Sequence, residues 1–246
     1  MRNRAVSEVL GYALVFSLVV VIVGIISVSG LTGYQDVQNF ERQSNAQKAY
    51  DVMHNNIEDI YYRGAPSRAT ELDLGETTIT LAEPVTINVT AGSGSERVST
   101  NVTTRPIVQD LGEGNKLVYE AGAVFQTTRD GGLLRREPPM TLRPDSGHVI
   151  VPNISQQGRR GIGNGVVRVR ARSLSDTIRY ENRSGSGDDY LNITVHSPRA
   201  GLWATHLEDS STFDSCTVGD SVVTCETDDL DRLYVVRSDL GIYFDR

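Results

Sequence analysis

The sequence predicts an α+β protein: a long N-terminal helix, first transmembrane and then amphipathic, followed by an antiparallel β-rich, sandwich-like head. Three observations point there. Val9–Val28 is an uncharged, almost wholly apolar run. Apolar residues at mostly three-and-four spacing then continue to Ile60, and beyond Pro66 the period falls to two with many β-branched residues. The expected segments are a basic leader at 1–5, a transmembrane or assembly helix at 6–33, an amphipathic helix at 34–63 and a head at 64–246.

The apolar run is 20 residues long, about 30 Å of helix, which matches one hydrocarbon core. Arg2, Arg4 and Glu8 precede it, and no charge follows until Asp36. The positive-inside rule keeps the two arginines cytoplasmic and places everything beyond about residue 33 outside. Three readings fit this segment. A secretory signal peptide would have a shorter apolar core, although Ser27-Val28-Ser29 is a passable cleavage site. A plain single-span anchor satisfies length alone. The third reading depends on the particular residues at the start.

A second helical pattern follows Gly30 and Gly33, which would permit a kink at the changeover. Tyr34, Val37, Phe40, Ala46, Ala49, Tyr50, Met53, Ile57 and Ile60 mark its apolar face. Arg63-Gly64-Ala65-Pro66 ends it, because glycine suits a helix C-terminus and proline cannot continue one. Helical from Val6 to Arg63, the stretch would reach about 87 Å.

In the head, Thr77–Leu81 and Val85–Val89 alternate around Glu83-Pro84. Further strands are expected at Val98–Thr103, Lys116–Glu120, Ala123–Thr127, His148–Val151, Val166–Arg172, Tyr190–His196, Ser221–Cys225, Leu233–Arg237 and Ile242–Phe244. Asp130-Gly131-Gly132, Gly161-Ile162-Gly163-Asn164-Gly165 and Ser184-Gly185-Ser186-Gly187 are turn or loop signals. Many short strands with glycine-rich connections predict a sandwich or an irregular two-sheet domain.

Composition narrows the function. The formal charge is −7, so broad binding to a phosphate backbone is disfavoured and no nucleic-acid partner is expected. Lys48 and Lys116 are the only lysines among 24 basic residues. An acidic, arginine-rich chain has the composition of an extreme halophile, although a GC-rich genome also favours arginine.

Asn-x-Ser/Thr occurs at Asn88, Asn101, Asn153, Asn182 and Asn192, which suits glycosylation of an external head. Ordinary strand and turn asparagines are the alternative. Cys216 and Cys225 flank a Gly-Asp turn and predict a disulfide closing a hairpin outside the cell. Arg168, Arg170 and Arg172 alternate with Val167, Val169 and Ala171, which places three guanidinium groups on one strand face. That face is either solvated and balanced by surrounding acids or a surface for anions, glycans or a partner. The acidic run Cys225–Asp231 could hold a cation or simply hydrate.

His54, His148, His196 and His206 form no local metal motif, and no phosphate loop or nucleophile elbow occurs. Gly161-x-Gly163-x-Gly165 lacks the strand-to-helix setting of a dinucleotide loop and reads as a turn. Trp203 reads as core. No catalytic residue, cofactor or metal is expected.

Arg4-Ala5-Val6-Ser7-Glu8-Val9-Leu10-Gly11 resembles the N-terminus of archaeal type IV pilins. The resemblance implies cleavage between Ala5 and Val6 by a prepilin peptidase, with the helix retained. The haloarchaeal pattern usually has proline where Glu8 stands here. A carboxylate at the edge of a lipid helix needs a partner, and a neighbouring subunit's free amino group would serve in assembly. The alternative leaves Glu8 in the headgroup region. Ala5–Gly11, Arg63–Glu71, Ser197-Pro198-Arg199, Trp203 and the two cysteines also resemble a haloarchaeal family of pilin-like secreted proteins with no assigned function.

The expected role is a pilin-like, membrane-inserted surface subunit, minor or specialised, acting by helix packing and head contacts with other pilin-like subunits or its own copies. The alternatives are a monomeric, single-pass surface glycoprotein with a binding head, and an exported hydrolase assembled from scattered residues such as His148 and His196.

Overall fold

A computed structural model describes residues 3–183, 185 and 187–246; within the first helix, the side chains of residues 3–9 and 28–39 lie outside the described set. The helix, α1, runs unbroken over Asn3–Arg63. Gly30 and Gly33 do not interrupt it: each costs about 1 kcal/mol of helix propensity, and no proline occurs before Pro66. Gly64 stops it. With φ at +67°, Gly64 turns the chain so that its own N–H and that of Ala65 donate to the carbonyls of Ile60 and Asp59, at 3.1 and 3.2 Å.

Two compact units divide the chain, residues 1–45 and 46–246. In the first, Leu10–Ser27 is long and apolar enough to cross a membrane, and none of it is buried within the protein. Phe40, expected on the amphipathic face, is exposed. The buried stripe starts later, at Ala46, and continues through Tyr50, Met53, His54, Ile57 and Ile60. The last turns of α1 therefore belong to the head.

The head's strands are β1 (Ser67–Asp73), β2 (Thr78–Leu81), β3 (Val85–Ser93), β4 (Glu96–Thr104), β5 (Ile107–Gly112), β6 (Asn115–Glu120), β7 (Ala123–Thr127) and β8 (Gly132–Arg136). The remainder are β9 (Met140–Arg143), β10 (Ser146–Gln156), β11 (Gly161–Gly163), β12 (Val166–Asn182), β13 (Asp189–His196), β14 (Ser215–Val218), β15 (Val222–Leu230) and β16 (Arg232–Asp245). A short helix, α2 (Ala200–Asp209), lies between β13 and β14.

They form three sheets, ordered β1-β12-β16-β10-β9, β11-β2-β5-β6-β7-β8 and β14-β15-β13-β3-β4. Pairing is antiparallel except between β10 and β16, which run parallel from Ser146↔Arg232 to Gln156↔Ile242. A parallel pair needs a long connection, and here β11 to β15 and α2 supply it.

Two hydrophobic cores result. One joins the α1 stripe to Ile79, Ile107, Tyr119, Val169 and Ile242. The other joins Ile87, Val89, Ile193 and Val195 of the third sheet to Phe125, Val151, Val235 and Trp203.

Several sequence expectations change. Leu233–Arg237 and Ile242–Phe244 are parts of one 14-residue strand, β16. Gly161–Gly163, read as a turn, forms the edge strand β11 on β2; a Cβ on Gly161 would come within 2.6 Å of Thr80 Cγ2, and the turn itself is Asn164-Gly165. The acidic run from Cys225 continues β15 as far as Leu230.

Candidate functional site

The N-terminal positions come first. Ala5, Val6 and Glu8 lie in the helical backbone of α1, and their side chains are outside the described residues. Downstream, the exposed surface of Leu10–Ser27 includes Leu14, Phe16, Leu18, Val21 and Ile25. Apolar side chains spread around a helix and left unburied call for a covering of lipid or of other helices.

The disulfide joins Cys216 to Cys225, directly opposed residues of β14 and β15. It clips the hairpin at the outer edge of the third sheet.

That sheet also gathers three of the five sequons on one face. Asn88 on β3 pairs with Asn101 on β4 and with Thr194 on β13, while Asn192 pairs with Thr90. Alternation along each strand sends Ile87, Val89, Val102, Leu191, Ile193 and Val195 to the core and the sequon residues to the other side. Within two of the triplets the threonine hydroxyl donates to the asparagine carbonyl, Thr90 to Asn88 and Thr194 to Asn192, each at 3.2 Å. The same face carries Arg97 over the ring of Tyr190 at 3.6 Å, with the Tyr190 hydroxyl donating to Glu226 at 3.2 Å. Burial, then the bond to Glu226, raises the Tyr190 phenol above its ordinary value.

The other two sequons sit differently. Asn153 Nδ2 donates to Asp239 Oδ1 at 2.5 Å, and its own carbonyl oxygen is buried with no hydrogen-bond partner among the described residues. Asn182 Nδ2 donates to Asp189 at 2.8 Å. Asp189 is fully buried and also accepts from Tyr180.

The arginine strand behaves as its alternation predicts. Val167, Val169 and Ala171 are buried, and Arg168, Arg170 and Arg172 are exposed. Arg168 pairs with Glu71 and Arg170 with Asp245, at 2.8 and 3.1 Å, so this face is largely balanced internally.

A different arginine group lines a cleft of about 650 Å³ that sequence reasoning missed. Arg143, Arg183 and Arg232 meet there with His148, Tyr234 and Asn182. These residues are far apart in sequence, and only the sheet order β12-β16-β10-β9 brings them together. No local motif could have signalled it. His148 stacks on Tyr234 with ring centroids 5.2 Å apart, and burial lowers its pKa, favouring the neutral imidazole. His196 lies on β13 in another sheet, so the structure does not bring these two histidines together. His54 lies on the buried stripe of α1, and His206 lies on α2.

No curated protein and no solved structure matches the chain. A family of unknown function, DUF7289, matches residues 4–242.

Proposed function

The chain belongs to the DUF7289 family, and because that family carries no assigned activity we propose a function from the chain's own residues. The protein is a pilin-like, membrane-inserted surface subunit whose head faces outward. It acts by packing its N-terminal helix against other subunits and by contacts of its head. The observation that carries this reading is the unbroken α1: one end supplies an apolar run that nothing in the protein covers, and the other supplies a buried stripe in the head. A cut after Ser29, as for a secretory signal, would fall within this continuous helix.

The charge distribution agrees with a head outside the membrane. Cleavage at Ala5–Val6 removes Arg2 and Arg4, and the apolar run contributes no charge, so the acidity belongs to the part outside the membrane. The internal disulfide agrees with an oxidising exterior. A prepilin peptidase and fellow pilin-like subunits are the partners this reading requires.

The test is to shear surface filaments from cells and assay them for the protein. The proposal expects it in the sedimenting filament fraction, with Glu8→Gln reducing incorporation. Protein found only as detergent-extracted monomer, with no cross-linked neighbour, supports the single-pass surface glycoprotein instead.

A further inference from the structure

The cleft has a regular lattice. Its floor lies across four adjacent strands, and the register sets the rows. Thr141, His148 and Tyr234 are successive cross-strand partners on β9, β10 and β16. Two residues along, on the same face, Arg143, Ser146 and Arg232 form the next row. Arg183 joins them from the end of β12. One row therefore supplies flat rings and a hydroxyl, and the other supplies guanidinium groups.

The charges are unevenly matched. Arg183 faces Glu181 at 2.5 Å and Arg232 faces Asp145 at 3.9 Å. Arg143 has no carboxylate within 4 Å among the described residues. In a chain of net charge −7, a cleft lined by three arginines and no acid is a local reversal of sign.

Spacing selects the ligand. Neighbouring strands lie about 4.8 Å apart, so Arg143 on β9 and Arg232 on β16, with β10 between, stand roughly 10 Å apart. That separation lets each guanidinium hold its own carboxylate, as a chain with repeated carboxylates presents them. Guanidinium groups match carboxylates two-pronged, Thr141 and Ser146 offer hydroxyls, and the Tyr234–His148 stack offers flat apolar surface. Leu233 is buried beneath, so no exposed aliphatic pocket awaits a peptide side chain.

We propose that this cleft binds an acidic saccharide, a chain of carboxylate-bearing sugars, with Arg143 and Arg232 holding successive carboxylates and Tyr234 supporting a ring. The proposal is independent of how α1 is used.

The test is calorimetric titration of the full-length protein in detergent with trigalacturonate, run beside neutral maltotriose, sulfate and a tri-glutamate peptide. The expected result is one saturable site per chain for trigalacturonate and none for maltotriose. Arg143→Ala with Arg232→Ala should weaken binding at least tenfold, while Arg168→Ala on the balanced face leaves it unchanged. If the double variant fails to fold, each single variant should weaken binding at least threefold. Absence of trigalacturonate binding, equal affinity for sulfate or tri-glutamate, or indifference to the cleft variants overturns the proposal.

Discussion

The indole Nε1 of Trp203 donates a hydrogen bond of 2.8 Å to Oε1 of Glu120, and both residues are fully buried. The other carboxylate oxygen of Glu120 accepts from Nε of Arg199 at 2.9 Å and also from its Nη2. Glu120 ends β6, and the other two residues sit at or near the start of α2, so one carboxylate fastens the short helix to the second sheet. Phe125 adds an edge-on contact to Trp203 at 5.7 Å.

Removing one member of a buried pair leaves the other charge uncompensated, at a typical cost of about 3–5 kcal/mol. Glu120→Ala should destabilise the protein by about that much in urea titration. Trp203 is the only tryptophan, so its emission should also shift to the red as α2 loosens. Unchanged emission and midpoint would show that α2 docks without this clamp.

The disulfide stabilises by restricting the unfolded chain. For the short loop between Cys216 and Cys225, the chain-entropy estimate is about 2.7 kcal/mol. Replacing both cysteines with serine should lower the urea midpoint accordingly and leave the slope of the transition nearly unchanged.

Glycan occupancy should follow the geometry of the amide nitrogens. Neither Asn88 Nδ2 nor the Asn101 side chain has a hydrogen-bond partner among the described residues, and Asn192 Nδ2 makes only a 3.4 Å contact with Glu226. The nitrogens of Asn153 and Asn182 are held by Asp239 and Asp189. Glycopeptide mass spectrometry should find sugar on the third sheet's face and not on Asn153. A glycan on Asn153 would break its bond to Asp239 and contradict this ordering.

Stability should fall in acid through two windows. Burial lowers the pKa of His148, and it lowers that of His206 despite Glu137 and Asp209 nearby. The folded state thus resists protonation of these rings, while the unfolded chain takes up protons near pH 6.5. Their contribution is present above that pH and is lost as pH falls through the lower folded values. Burial alone would raise Asp239, but donors from Arg237, Asn153 and Ser175 outweigh it and hold the carboxyl below its ordinary value of 3.8. Its contribution is present above about pH 4 and disappears below. Urea midpoints between pH 7.5 and 5 should drop, and a His148→Gln, His206→Gln variant should flatten that slope.

Legibility in the sequence followed the range of the interactions. The helix, its stop at Gly64, the strand pair around Ala121-Gly122 and the Cys216–Cys225 hairpin are local, and local spacing predicts them. Ala121 and Gly122 both have positive φ, as a two-residue hairpin turn requires. Strand β1 alternates in burial, but its inner face carries Arg68 and Thr70 beside Leu72, so no apolar alternation marks it, and β8 (Gly132–Arg136) buries none of its residues fully. Helix α2 hid behind Gly201, and neither the Glu120–Trp203 bond nor the arginine cleft could be read from spacing, because tertiary pairing alone creates them. Phe40 fits the helical period and is still exposed, because period describes a face and not what covers it.

The retained helix is the central claim, and the N-terminus of the membrane-bound protein tests it most directly. Mass spectrometry of the mature chain should find a new terminus at Val6, with all of the apolar run still attached. A chain beginning at Met1 or Arg2 would contradict pilin-type processing, and one beginning at Gly30 would show that the run is a signal peptide discarded before assembly.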